Sequence, residues 1–168
     1  MLINVFISHK KEDSNHAKEI ANYLRYFDEV SCYLDILDPV LNSFEGDDLG
    51  EYFREKLGGC THLMAILSDE TKESWWVPFE IGIATEKQYP IVTFAVEDVN
   101  LPLFLKKWPY LRKLDDLQQY FDVAYGTQRH ILMEGLEKIA SSRRGLYARA
   151  FHKNLKEALG QVSVYRHL

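Results

Sequence analysis

Two cysteines, five prolines and nine glycines in 168 residues exclude several classes of protein at once. Cys32 and Cys60 are too few for a disulfide scaffold, and neither a CxxC pair nor a Cys/His spacing suits zinc. Both are expected as reduced, partly buried thiols of a cytoplasmic protein, and no metal site is expected. The stretch SHKKEDSN at 8–15 contains no glycine, so neither GxGxxG nor GxxxxGK[ST] occurs there; a phosphate-cradling loop is thereby disfavoured. A GxSxG elbow is missing too. No apolar run approaches the roughly 18–20 residues that span a bilayer, and MLINVFIS reads as a strand rather than a leader. Apolar residues are not scarce: 46% of the chain is hydrophobic and 13% aromatic. This is the composition of a folded domain, and the length suits one domain or one domain with a helical appendage.

Basic charge is scarce over most of the chain. The net charge is −5, but residues 126–168 carry eight Lys/Arg against three Asp/Glu. The first 125 residues are therefore strongly acidic, which disfavours a duplex-binding surface on them. The basic tail, with Arg143-Arg144, reads either as a solvated helical face or as a surface for an acidic partner.

What is abundant is an alternation of apolar runs and helical stripes. Ile3 to Ile7, Leu63 to Leu67 and Ile91 to Val96 are short, nearly continuous apolar runs, as expected for strands covered on both faces. Cys32 to Leu34 fits a shorter strand, and Tyr110 to Leu114 a weak edge strand. Between them, Ala17, Ile20, Ala21, Leu24 and Phe27 form one helical stripe after Asp13, a good cap residue. Leu49, Tyr52, Phe53 and Leu57 form a second, ended by Gly58-Gly59. A third helix follows Ser74 and stops before Tyr89-Pro90. The order predicts an α/β fold with a parallel sheet and right-handed crossovers. Residues 1–125 are expected to form that domain, and 126–168 a helical extension packed on it, with a break at Ser141-Ser142.

Ligands of such sheets bind beyond the carboxyl ends of the strands. Ser8 and His9 follow the first strand, Asp35 the second, and Ser68 the third. The sharpest cluster is Ser74-Trp75-Trp76-Val77-Pro78-Phe79-Glu80, in which Trp76 and Glu80 share a helical face four residues apart. A helix start favours an ionised carboxylate, whereas aromatic neighbours that exclude water oppose it. An indole beside a carboxylate suits a flat, cationic, sugar-linked ligand, whose oxocarbenium-like transition state the charge would stabilise. The same residues also fit core packing around a solvated glutamate, and His9 fits an ordinary loop residue. Spacing alone leaves these alternatives open.

In order, VFISHKKED, CYLD, THLMAILSDETKESWWVPFEIGIA and PIVTF resemble the motifs of the Toll/interleukin-1 receptor (TIR) domain family over residues 2–115, most specifically in the SxWWxxxEI block. The flavour is bacterial and similar to the TIR enzymes of Thoeris anti-phage systems. The resemblance implies a flavodoxin-like fold, with about five parallel strands and helices on both faces. It also implies cleavage of NAD+ at the nicotinamide–ribose bond, with Glu80 as the catalytic residue. Trp76, Ser8, His9, Asp35, Phe44, Ser68 and Ser74 would then bind substrate. NAD+ enters as substrate and no resident cofactor is expected. The product would be an ADP-ribose-derived messenger, expected to be cyclic, acting on a separate effector protein, with self-association through TIR–TIR contacts. No nucleic-acid or membrane partner is expected. The rival readings are a non-catalytic TIR interaction module and a deoxyribosyltransferase-like enzyme; a response-regulator receiver fits worse, since acidic residues do not cluster after the first strand as that fold requires. Pro78 is compatible with the third helix only if that helix begins close to it, and the acidic loop DILDPVLNSFEGDD lacks the adaptor pattern.

Overall fold

The computed structural model describes residues 2–34, 48–133 and 140–161. Five strands, β1 (Ile3–Ser8), β2 (Val30–Leu34), β3 (His62–Leu67), β4 (Ile91–Ala95) and β5 (Tyr110–Leu111), make one parallel sheet in the order β2-β1-β3-β4-β5. That order is the flavodoxin-like one, and its topological switch point falls between β1 and β3. Helices α1 (Ser14–Leu24), α2 (Asp48–Gly58), α3 (Trp76–Glu86), α4 (Asp116–Met133) and α5 (Ala140–Ala158) accompany the sheet, with short 3-10 turns at Lys11–Asp13, Glu70–Glu73 and Leu105–Lys107. None of the described helices is long and apolar enough to cross a membrane.

Strand parity sorts the core into two layers. Ile3, Val5 and Ile7 of β1, with Met64, Ile66, Val92 and Phe94, pack against α1, α4 and α5. Phe6, Leu63, Ala65, Leu67, Ile91 and Ala95 face the other way, onto α2 and α3. Side chains in strands alternate between faces, so a strand buried on both reads as an unbroken apolar run. Ser8 shares the parity of Phe6, and Thr93 that of Ile91 and Ala95, which turns both hydroxyls toward the α2–α3 layer.

Several boundaries differ from the sequence-based expectation. β2 begins at Val30, two residues early, and β5 keeps only two residues at the sheet edge. Asp13 precedes α1 but makes no capping bond with its side chain. α4 starts at Asp116 and passes through Gly126, and Ser141-Ser142 lie inside α5 rather than at a break. Gly126 does not end the helix because tertiary packing outweighs the ~1 kcal/mol penalty of a helical glycine: Tyr120 and Ala124 on its N-terminal side are fully buried in the layer that also holds Phe151 and Leu155 of α5.

Candidate active site

The helix α3 connects the carboxyl edge of β3 to the amino edge of β4, so it runs back antiparallel to the strands. Its start is shaped locally. The Trp76 N–H donates to Ser74 Oγ at 3.2 Å, giving one orphan amide of the first turn a side-chain acceptor. Pro78 stands two residues in, where a missing N–H costs the helix nothing, so the constraint its position imposes is met. Ser74 thus acts as a cap at the helix entrance.

The face of α3 directed at the sheet carries Val77, Glu80, Ile81 and Ala84. Three are the apolar residues such a face needs. The fourth, Glu80, is a carboxylate with no solvent exposure. Burying a carboxylate is costly enough that it seldom occurs without a specific use. Counting along the register, Ser8 pairs with Ala65 and Ala65 with Thr93, forming one row across β1, β3 and β4. The hydroxyls of Ser8 and Thr93 are fully buried and find no hydrogen-bond partner among the described residues.

Trp76 lies one turn before Glu80 and is half-buried. Its ring meets Phe53 of α2 edge-on at 6.1 Å and tilts against Phe79 at 5.3 Å. Phe53 meets Phe6 of β1 at 5.1 Å, and Phe6 meets Tyr33 of β2 at 5.4 Å. An aromatic chain therefore runs from α3 through α2 to the sheet and holds the indole in place. Trp75, in contrast, is 93% exposed.

The other site residues proposed from sequence divide. His9 is buried, and its Nδ1 sits 3.2 Å from the Ile7 carbonyl; a carbonyl only accepts, so Nδ1 carries a proton. Ser68 is committed elsewhere. Its Oγ donates to Asp13 Oδ2 at 2.8 Å, and Thr71 Oγ1 donates to the same oxygen at 3.2 Å. The Ser68 N–H donates to Thr71 Oγ1 at 3.0 Å. This knot fastens the loop after β1 to the loop after β3. Asp35 and Phe44 lie outside the described residues. Ser8 ends β1, His9 follows it and Ser68 follows β3, all at the carboxyl edge beside the switch point, while Ser74 precedes α3 and Trp76 and Glu80 lie on it.

Asp13, Thr71, Phe6, Phe53 and Thr93 pack around these residues or line the same sheet face, and the sequence marked none of them as part of a site. Strand parity is the signal that could have found Phe6 and Thr93; nothing local marks the Asp13–Ser68 contact, 55 residues apart. Two further hollows flank the region. An apolar one of about 240 Å³ lies between α3 and the segment after β4, lined by Ser68, Val77, Ile81, Leu101 and Leu105. The second is rimmed by Glu12, Asp13, Asp69, Glu70, Glu97 and Asp98, a field that repels polyanions.

The TIR domain family model matches residues 5–131. No curated protein matches the chain.

Proposed function

The chain belongs to the TIR domain family, and on that footing we propose that it is an enzyme cleaving NAD+ at the nicotinamide–ribose bond. The observation that supports the reading is Glu80, a carboxylate removed from solvent on the sheet-facing side of α3, one turn from a held indole. A structural helix would place an aliphatic residue there. The nicotinamide of the substrate is cationic and flat, which suits Trp76. When the C–N glycosidic bond breaks, its electron pair leaves with the ring and neutralises the pyridinium. The ribose C1′ is left as an oxocarbenium-like centre, which the Glu80 carboxylate stabilises electrostatically. Water attacking C1′ gives ADP-ribose and one proton. A hydroxyl or adenine nitrogen of the same molecule gives a cyclic isomer, the product expected of a signalling enzyme.

Ser8 and His9 stand beside the same strand end and serve as substrate contacts in this reading. Ser74 acts through the helix cap, and Ser68 through the Asp13 knot. Asp35 and Phe44 remain substrate contacts in the proposal. The diphosphate would avoid the acidic rim around Asp69 and Asp98. Resemblance to the Thoeris enzymes supplies the setting: anti-phage defence in a bacterial cytoplasm, with a separate effector protein reading the product.

One observation favours the second reading, a non-catalytic module working by TIR–TIR contacts. Trp75, Phe79, Leu103 and Phe104 are large apolar residues open to solvent, and such residues suit a contact with another copy. The two readings are separable by nicotinamide release from NAD+ at high protein concentration. Release that is lost in Glu80→Gln supports the enzyme; no release from an assembled wild-type protein supports the module.

A further inference from the structure

At the amino edge of the sheet, opposite the site above, α4, α5 and the entrance to β3 line a further, open-sided cavity of about 230 Å³. Its walls are Cys60, Ile131, Leu132 and the ring of Tyr147, and Arg143 and Arg144 stand in its lining. A dry apolar cavity of ~150 Å³ already accepts benzene, so this one has room for a larger apolar body. The polar groups deeper in are spoken for. His62 Nε2 and Tyr147 Oη lie 2.8 Å apart, and the phenol donates to the Ala124 carbonyl at 3.1 Å. The phenol therefore accepts from Nε2–H, and His62 stays neutral, in keeping with the burial that lowers its pKa to about 3. Charged recognition falls to the two arginines, with the Gln128 amide as a neutral polar neighbour. Among the described residues no carboxylate lines the cavity and neither guanidinium has an ion-pair partner. Arg144 rests instead on the ring of Tyr89, 4.2 Å from its centroid, which pre-orients it at little cost in side-chain freedom.

We propose that this cavity binds a small amphipathic anion, its apolar body between Ile131, Leu132 and Tyr147 and its carboxylate or phosphate held by Arg143 and Arg144. Apolar walls and two guanidinium groups in one lining together select an organic anion over a neutral or cationic ligand of the same shape. The inference is independent of the reading given to Glu80, because it uses neither that edge of the sheet nor α3.

The test is calorimetric titration of the full chain with 2-naphthoate and with octanoate, which separates aromatic from acyl bodies. 2-Naphthamide, 2-naphthylmethylamine and inorganic phosphate serve as controls. Saturable binding of at least one carboxylate is expected, at least tenfold tighter than the amide, with no binding of the amine. Arg143→Ala/Arg144→Ala should weaken it at least tenfold. Leu132→Glu, which leaves both arginines in place and alters a partly exposed position, should abolish it. Thermal melting shows whether each variant is folded, and either one suffices. The proposal is overturned if neither carboxylate binds saturably up to 5 mM, if the amide or phosphate alone binds as tightly, or if both folded variants bind like the wild type.

Discussion

Ser68 Oγ donates a 2.8 Å hydrogen bond to Asp13 Oδ2, joining the two loops that flank the β1–β3 switch point. Asp13 is nearly fully buried and also accepts from Thr71. Ser68→Ala removes one of the two hydroxyl donors to that carboxylate and should cost about 1 kcal/mol, whereas Asp13→Ala removes the acceptor both hydroxyls share and should cost about 2–3 kcal/mol. Urea denaturation measures both. A larger loss for Ser68→Ala than for Asp13→Ala would contradict the knot.

The adjacent tryptophans should behave oppositely. Trp76→Ala removes the link between Phe53 and Phe79 and should destabilise the fold by roughly 2–3 kcal/mol, toward the lower end for buried aromatic truncations because the ring is only half-buried. Trp75→Ala removes a solvent-exposed ring and should change stability by less than ~0.5 kcal/mol. In sedimentation at high concentration, Trp75→Ala is expected to reduce self-association. Equal melting temperatures for the two variants would be inconsistent with this picture.

Acid should weaken the fold through two histidines. Burial lowers His62 to about 3, helped by nearby His152, and lowers His152 to about 4, helped by Lys156. His152 Nε2 accepts the Ile91 N–H at 2.8 Å, which requires an unprotonated nitrogen. The unfolded chain takes up protons near the ordinary value of about 6.5, while the folded chain resists until about 4 and then 3. Stability is therefore full above about pH 7 and falls as pH drops through 6.5 toward 4. Each group contributes up to ~1.4 kcal/mol per pH unit within its window. Urea midpoints at pH 7.5, 6 and 5 should decline in order, and less steeply in His152→Gln. Identical midpoints at pH 7.5 and 5 would contradict buried neutral imidazoles.

The strands were legible because burial on both faces leaves a direct mark, a short continuous apolar run. β3 and β4 were read within one residue of their bounds for that reason, whereas β2 opens on Val30 between the polar Glu29 and Ser31 and so does not show where it begins. The break proposed at Ser141-Ser142 failed because two hydroxyls lower helix propensity only slightly, while packing of Ala148, Phe151 and Leu155 fixes α5. At the site, the Trp76–Glu80 spacing was visible because i,i+4 geometry is local. The commitment of Ser68 to Asp13 was not, since it depends on how the sheet folds. Nor could spacing reveal that Trp75 faces water and Trp76 the core.

Removing the buried hydroxyls should separate fold from site. Neither Ser8 Oγ nor Thr93 Oγ1 has a hydrogen-bond partner among the described residues. Thr93→Val and Ser8→Ala should therefore be neutral or stabilising, within about 1 kcal/mol, because each removes an unmet desolvation cost. If Ser8 contacts substrate, Ser8→Ala raises the KM for NAD+ while its melting temperature holds. A loss of more than 2 kcal/mol in either variant would mean that the hydroxyls are structural.

The central claim is that the buried carboxylate of Glu80 stabilises charge developing on a ribose. Its most direct test is nicotinamide release from NAD+ by concentrated wild-type protein and by Glu80→Gln, each shown to be folded by circular dichroism. The expected result is steady release by the wild type and a fall of about 10²–10³-fold in the variant. Undiminished release by folded Glu80→Gln would contradict it.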